Sequence, residues 1–369
     1  MAAPALRAQG IEIGFEAQCG FVAAMRVSDG GREVAMFHVA PWAAGGEPLP
    51  ADAAPHLRGL KGDFFCAPFA ARSADGSDFH GWPANGIWSE LAGGTALCRR
   101  WVLDHAVAGA ALVKELSVAD GQPFLYQRHV FIGGEGGVPV ANHANIAVPG
   151  GAHPRFSPKR WFETPASQQE TDPARGRSRI RPATRAADPR AFPAADGGTL
   201  DLTRYPWAER DEDFAVGVEA EGTGLGWTAV SRIGTGDLFL SLRDPRALPM
   251  TMLWHSNGGR DYPPWNGRHR GCLGVEEGAA LPMLGVSSRE VPDPLTASGM
   301  APVLTLVPDG TAEVRHVLGM IAWPAEEPVA AVEIAGDRLR VTGEGGARRD
   351  LPFRAGFLGL GPRDGAPRR

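Results

Sequence analysis

Short apolar runs broken by turn residues dominate the chain. From residue 11 to 40, IEIGFEAQ is followed by CGFVAAMRVSDGGREVAMFHV, and Asp29-Gly30-Gly31 between two apolar-rich runs predicts a hairpin. Runs of the same kind recur at TALCRRWVL, ALVKELSVAD, FLYQRHVFIG, FAVGVEAE, GWTAVSRIG, DLFLSLRD, MTMLWHS, APVLTLVPD, TAEVRHVLGMIAW, AAVEIAGDRLRVTG and RRDLPFRAGFLGL. Several alternate in character: Ala312 to Val317 reads Ala, Glu, Val, Arg, His, Val, a strand with one wet face. Frequent strands with turn signals between them predict an all-β fold, a large antiparallel β-sandwich, and no alternating β and α units point to a parallel sheet.

Residues 151 to 198 break this rhythm. They are rich in Pro, Arg, Ala and Asp, carry arginines at 175, 177, 179, 181, 185 and 190, and show no usable apolar period. The segment reads as a long loop or insertion over the sandwich rim. Its arginines are either a binding site for a substrate phosphate or carboxylate, or a solvated charge run. The last nine residues, GPRDGAPRR, read as a frayed tail.

Composition sharpens this picture. Glycine and proline together supply 49 and 32 of the 369 residues, a frequency that leaves little room for long helices. Length alone allows two domains, but the uniform strand rhythm predicts one, spanning 1–369, with the insertion at about 151–198. With 37 basic and 42 acidic residues the net charge is −5, so no whole-chain basic field exists to attract nucleic acid. The cysteines at 19, 66, 98 and 272 form no CxxC pair and no disulfide framework, which fits reduced thiols in a cytoplasm. The N-terminus lacks the pattern of a signal peptide, and no run reaches the roughly 18 apolar residues of a membrane span. A cytoplasmic protein without membrane or nucleic-acid partners is the expectation; its oligomeric state is not readable.

The common cofactor and nucleophile signatures are absent: there is no GxGxxG opening a helix, no Walker loop, no HExxH, no GxSxG and no EF-hand loop. None of the ten histidines pairs with another at a helical metal-ligand spacing, so neither a metal nor an organic cofactor is predicted. A site must come from dispersed residues, and four stretches offer them. GDFFCAPFAARSADGSDFHGWPANGIWSE places Arg72 and His80 on either side of a Gly and Asp turn. GVPVANHANIAVP places His143 after an apolar run. GGTLDLTRYPWAERDEDFAVGVE offers Asp211 at the mouth of a strand, with Glu212 and Asp213 as competitors. MLWHSNGGRDYPPWNGRHRGCLGVEEGAALPM ends with Glu276 beside Glu277, and strand alternation sends only one of the two into a groove.

In this order the four stretches resemble the aldose 1-epimerase or galactose mutarotase family, especially its hexose-6-phosphate mutarotase-like branch. The resemblance rests on Arg72, His80-Gly81 followed by a tryptophan, Asn142-His143, Thr199-Leu200-Asp201-Leu202 leading to Asp211 and Phe214, and Leu273-Gly274-Val275-Glu276. It covers about residues 11 to 325 through short motifs. Ala144, Asn145 and Ile146 stand where the family has aromatic and asparagine residues, and the family's second arginine and asparagine are missing around Arg72.

The resemblance implies a galactose mutarotase-like supersandwich and an isomerase that interconverts the α and β anomers of an aldose or sugar phosphate, with no cofactor. It makes Glu276 the base at the anomeric hydroxyl and His143 the acid at the ring oxygen, with His80, Arg72 and Asp211 binding the sugar. Both types of side chain suit acid–base chemistry: burial raises a glutamate toward working pH and a histidine titrates near it. Tryptophans at 82, 88, 254 and 265 are candidates to stack on a pyranose or to fill the core. A carbohydrate-binding protein that keeps the sandwich without turnover is the alternative. A weaker one is elimination on a sugar-acid polymer, for which only Tyr126, Tyr205 and Tyr262 are on hand as proton-transfer partners.

Overall fold

A computed structural model describes residues 5–72, 75–285 and 287–360. Two antiparallel sheets of eleven and eight strands hold the molecule together. The first runs, in spatial order, through Leu6–Ala8, Ile11–Glu16, Phe21–Asp29, Asp63–Cys66, Val140–Ala147, Cys272–Ala279, Met250–Asn257, Asp211–Glu219, Lys159–Glu163 and Arg185–Ala186, with Arg32–Val34 flanking Phe21–Asp29. The second runs through Ala152–Phe156, Gly226–Arg232, Asp237–Arg243, Thr311–Ala322, Phe124–Gly133, Ala110–Ser117, Cys98–Leu103 and Trp88–Glu90. The helices are short pieces of three to five residues, as the Gly and Pro content requires. Among the described residues no helix is long and apolar enough to cross a membrane.

Alternation assigns each side chain to a layer. Phe65, Val140, Ala144, Ile146, Leu273 and Val275 point from the first sheet into the core shared with the second. Their neighbours Phe64, Cys66, Ala141, Met252, Trp254 and Cys272 point the other way, into a second apolar cluster under the loops that cover the first sheet's outer face. The back of the second sheet is covered by a three-stranded sheet of Val329–Ala335, Arg338–Gly343 and Arg348–Pro352. Because both faces of the first sheet are covered, Asp211–Glu219 and Cys272–Ala279 are buried at every position. Buried charges there need partners. Glu277 points between the sheets, where it accepts from Thr228 Oγ1 at 2.6 Å and Thr251 Oγ1 at 2.9 Å and pairs with Arg243 at 2.8 Å.

The 151–198 segment is not a structureless insertion. Ala152–Phe156 forms an edge of the second sheet, Lys159–Glu163 joins the first, and Ile180 and Phe192 sit in a small core with Phe162 and Ala215. Proline and arginine hid two short strands whose apolar positions are few: Trp161 and Phe162 carry one of them. Arg175, Arg177 and Arg185 of this segment are ion-paired with Glu170, Asp261 and Glu163. The frayed tail expected at GPRDGAPRR lies outside the described residues.

Candidate functional site

On the outer face of the first sheet a cavity of about 360 Å³ opens, at the small end of the usual size for a small-molecule site. His143 and Glu276 form part of its wall. They are directly opposite in the antiparallel pairing of Val140–Ala147 with Cys272–Ala279, and His143 Nε2 lies 3.1 Å from Glu276 Oε1. On its far side His143 is paired with Phe64, whose ring stacks on the imidazole at 4.5 Å. Gly274, two residues before Glu276 and on the same face, makes room for the carboxyl. A Cβ there would come within 2.9 Å of Trp254 Cβ and 3.0 Å of Glu276 Oε1. Alternation thus separates the two adjacent glutamates: Glu276 faces the cavity and Glu277 the interior.

His80 reaches the same cavity from a loop. It and Gly81 both adopt left-handed backbone conformations, φ 74° and 75°, and a Cβ on Gly81 would run into the Ala67 carbonyl. A non-glycine residue held there stores strain of about 1 kcal/mol or more, tolerable because it aims a ring. The His80 ring lies edge-on to His143 at 5.5 Å and to His56 at 5.2 Å, and Ala70 N–H donates to its Nδ1 at 3.4 Å. His56, on the short helix Pro55–Arg58, is fixed by a 2.8 Å contact between its Nδ1 and Asn85 Oδ1. Asn85 is itself tied to the Phe79 and Gly81 carbonyls.

Desolvation governs the protonation of these groups. Burial, with smaller contributions from neighbouring histidines, holds His80 well below the usual histidine range and lowers His143 to about 3; burial also lowers His56. Burial, reinforced by the charge of Glu277, pushes the Glu276 carboxyl well above the carboxylate range. The His143–Glu276 pair therefore shares one proton. With the proton on Glu276 the pair is a carboxylic acid beside a neutral imidazole; with it on His143, a carboxylate beside an imidazolium. Either arrangement offers one acid and one base side by side.

Across the cavity Arg260 supplies a cation. Its guanidinium lies over the Trp265 ring at 4.1 Å and pairs with Glu212 at 2.8 Å. Glu212 also accepts from Trp254 Nε1 at 2.6 Å and Ser256 Oγ at 2.8 Å, so its charge is fully used in holding Arg260 and Trp254 in place. Phe214, Trp254, Trp265 and Tyr262 make the apolar walls, and Gln169 adds an amide.

The structure brings together His80, His143 and Glu276 and leaves the other two expected residues outside the lining. Arg72 is exposed and pairs with Asp78 at 3.0 Å. Asp211 is buried on the opposite side of its strand from Phe214, its carboxyl pushed up to about 8 by burial and by the charge of Asp213. The same alternation puts Glu212 on the cavity side. His56 and Arg260 were not picked out from the sequence. Arg260 lay inside the HSNGGRDYPPW stretch that the family resemblance touched, while nothing in AAPHLRG distinguishes His56 from a surface histidine.

No family model matches the chain, and no curated protein matches it by sequence. Solved structures do share its fold. A candidate aldose 1-epimerase from Escherichia coli K12 matches with a TM-score of 0.56 at 10% identity, over 85% of this chain and 97% of that one. A galactose mutarotase related enzyme from Lactobacillus acidophilus matches with a TM-score of 0.51 at 9% identity, over 87% and 97%. A candidate aldose 1-epimerase from Klebsiella pneumoniae gives 0.52 at 15%, over 86% and 78%. The architecture is the galactose mutarotase-like sandwich expected from the sequence.

Proposed function

We propose that the chain is an isomerase of the aldose 1-epimerase type, acting on a monosaccharide bound in the cavity beside His143 and Glu276. The observation that carries this reading is the 3.1 Å contact between those two side chains on one cavity wall. The anomeric and ring oxygens of an aldose are both bonded to C1, so an adjacent acid and base can address both at once. Once the shared proton has moved from Glu276 to His143, Glu276 as carboxylate takes the proton of the anomeric hydroxyl while the C1–ring oxygen bond breaks. The electron pair of that bond goes to the ring oxygen, which takes the proton from His143. Rotation about the bond from C1 to C2 turns the aldehyde, and the reverse transfers close the ring on its other face. One shared proton thus serves both half-reactions.

His80 and His56 line the pocket as neutral imidazoles able to hydrogen-bond sugar hydroxyls, and Trp254 and Trp265 offer apolar faces to a pyranose. Arg72 and Asp211, outside the lining, carry no sugar contact in this reading; Arg260 supplies the donor in their place. Because Glu212 neutralises Arg260, the pocket suits a neutral aldose better than a sugar phosphate. Polarimetry on freshly dissolved α-aldoses tests the proposal: the optical rotation of at least one should relax faster with protein present. An aldose that binds without any acceleration of its relaxation would instead make the chain a carbohydrate-binding protein.

A further inference from the structure

Beneath Trp254 and Trp265, outside the cavity lining, His38, His269 and Cys272 converge, one ligand atom of each lying within 4.8 Å of the others. Cys272 and His269 are 0% and 1% exposed. The hydrogen-bond partners fix where their lone pairs lie. Ser256 has a single hydroxyl proton, and it donates to Glu212 Oε2 at 2.8 Å. The 2.8 Å contact between Ser256 Oγ and His269 Nδ1 must then be donated by the imidazole. That leaves Nε2 of His269 as an unprotonated acceptor, and it is buried with no partner. His38 likewise donates to the Arg270 backbone and has a buried, unpartnered Nδ1. Two buried imidazole lone pairs and one thiol therefore share a small space, a costly arrangement if nothing joins them.

We propose that His38, His269 and Cys272 form a site for a thiophilic d10 metal ion, Zn²⁺ or Cu⁺. Two imidazole nitrogens and one thiolate are the donor set such ions take, and the Ser256 bond to His269 Nδ1 is the outer contact that orients a metal-binding histidine. Metal–ligand bonds of about 2.0–2.3 Å need donor separations of about 3.5 Å, a contraction of at most about 1.3 Å from separations that all lie within 4.8 Å. Binding releases the Cys272 thiol proton to solvent as the metal–sulfur bond forms. The dispersed positions 38, 269 and 272 have no helical or CxxC spacing, which is why no metal was expected from the sequence. Through Ser256 and Glu212 the site continues to Arg260, so a bound ion would stiffen the far wall of the cavity.

The full-length protein, stripped with chelator and reductant, is titrated with Zn²⁺ against a chromophoric competitor and, separately, with Cu⁺ under reductant against a copper(I) chelator. One equivalent of at least one ion should bind, and the better-bound ion identifies the metal. His38→Gln, at the half-buried edge, and the isosteric Cys272→Ser should each weaken it by about 100-fold or more while circular dichroism shows both variants folded. Co²⁺ should give a sulfur-to-metal charge-transfer band in the wild type that Cys272→Ser abolishes, a readout independent of sugar chemistry. Only trace binding of both ions to folded wild type, or binding equally tight in both variants, would overturn the site.

Discussion

Glu276 and Glu277 are adjacent in sequence, and their replacement by glutamine should have opposite consequences. Glu276→Gln removes the group proposed to accept the anomeric proton. General base catalysis is worth about 10²- to 10⁴-fold, so the barrier should rise by about 3–5 kcal/mol. Stability should not fall with it. The Glu276 carboxyl is held well above its ordinary value of 4.5 by burial, so the native state binds its proton more tightly than the unfolded chain does. Native stability from that group is present at low pH and lost as pH rises from about 4.5 through the native value. Glutamine has no such loss, and the variant should be as stable as wild type at pH 7 or more so. Glu277→Gln leaves the cavity intact but strips a fully buried guanidinium, Arg243, of a carboxylate 2.8 Å away. Arg243 keeps Glu219 as its other carboxylate, so the cost is that of one buried charged hydrogen bond, about 1–3 kcal/mol. Turnover per folded molecule should stay within about tenfold of wild type, since the Glu276 carboxyl loses only the lesser of its two raising causes, the charge of Glu277. The assays are anomerisation rate at matched folded concentration and urea unfolding at several pH values. A Glu276→Gln protein that turns over normally, or a Glu277→Gln protein that loses turnover while remaining stable, would refute the assignment of the two faces.

Other expectations follow from the same geometry. Gly274→Ala puts a methyl group 2.9 Å from Trp254 Cβ and 3.0 Å from Glu276 Oε1, which should cost about 1–3 kcal/mol in denaturant unfolding and lower turnover at least tenfold, because the carboxyl is displaced. His255 and His316 are buried with values near 3 against an ordinary 6.5. The unfolded chain takes up their protons first, so stability is full above about pH 6.5 and falls as pH drops. At pH 5 the loss is about 2 kcal/mol for each, and far-UV circular dichroism should show cooperative acid unfolding near that pH; a protein stable to pH 3 would contradict the buried neutral histidines. Arg260→Gln should weaken sugar binding, measured by calorimetry, about tenfold or more, whereas replacing Arg177, Arg179 and Arg181 together should leave it unchanged, since none of the three lines the cavity.

What the sequence made legible was the periodic part. Alternating runs such as Thr311–Ala322 and Phe124–Gly133 are strands, and the turn residues between them marked an antiparallel fold. His80, His143 and Glu276 were placed by short motifs and the structure gathers them in one cavity. Asp211 lies on the face away from the cavity, which RDEDF could not reveal, because its three carboxylates sit in a fully buried strand: with no polar face to read, composition cannot say which side is which. Only pairing to Trp254 and Ser256 reveals that Glu212 faces the cavity. Arg72 lies outside the lining for another reason: it is exposed and paired with Asp78. Positions 152–163 were lost to proline and arginine in short strands that owe their place to the sheets they join.

The central claim is that the His143–Glu276 pair moves protons on an aldose. Saturation transfer between the α and β anomeric proton signals of an equilibrated sugar measures that exchange directly, without a coupling enzyme. Catalytic amounts of the wild-type protein should produce transfer for at least one common aldose, and Glu276→Gln and His143→Gln should each reduce it by about 100-fold or more. Transfer that persists in both variants, or that is absent for every aldose with folded wild-type protein, would contradict the account.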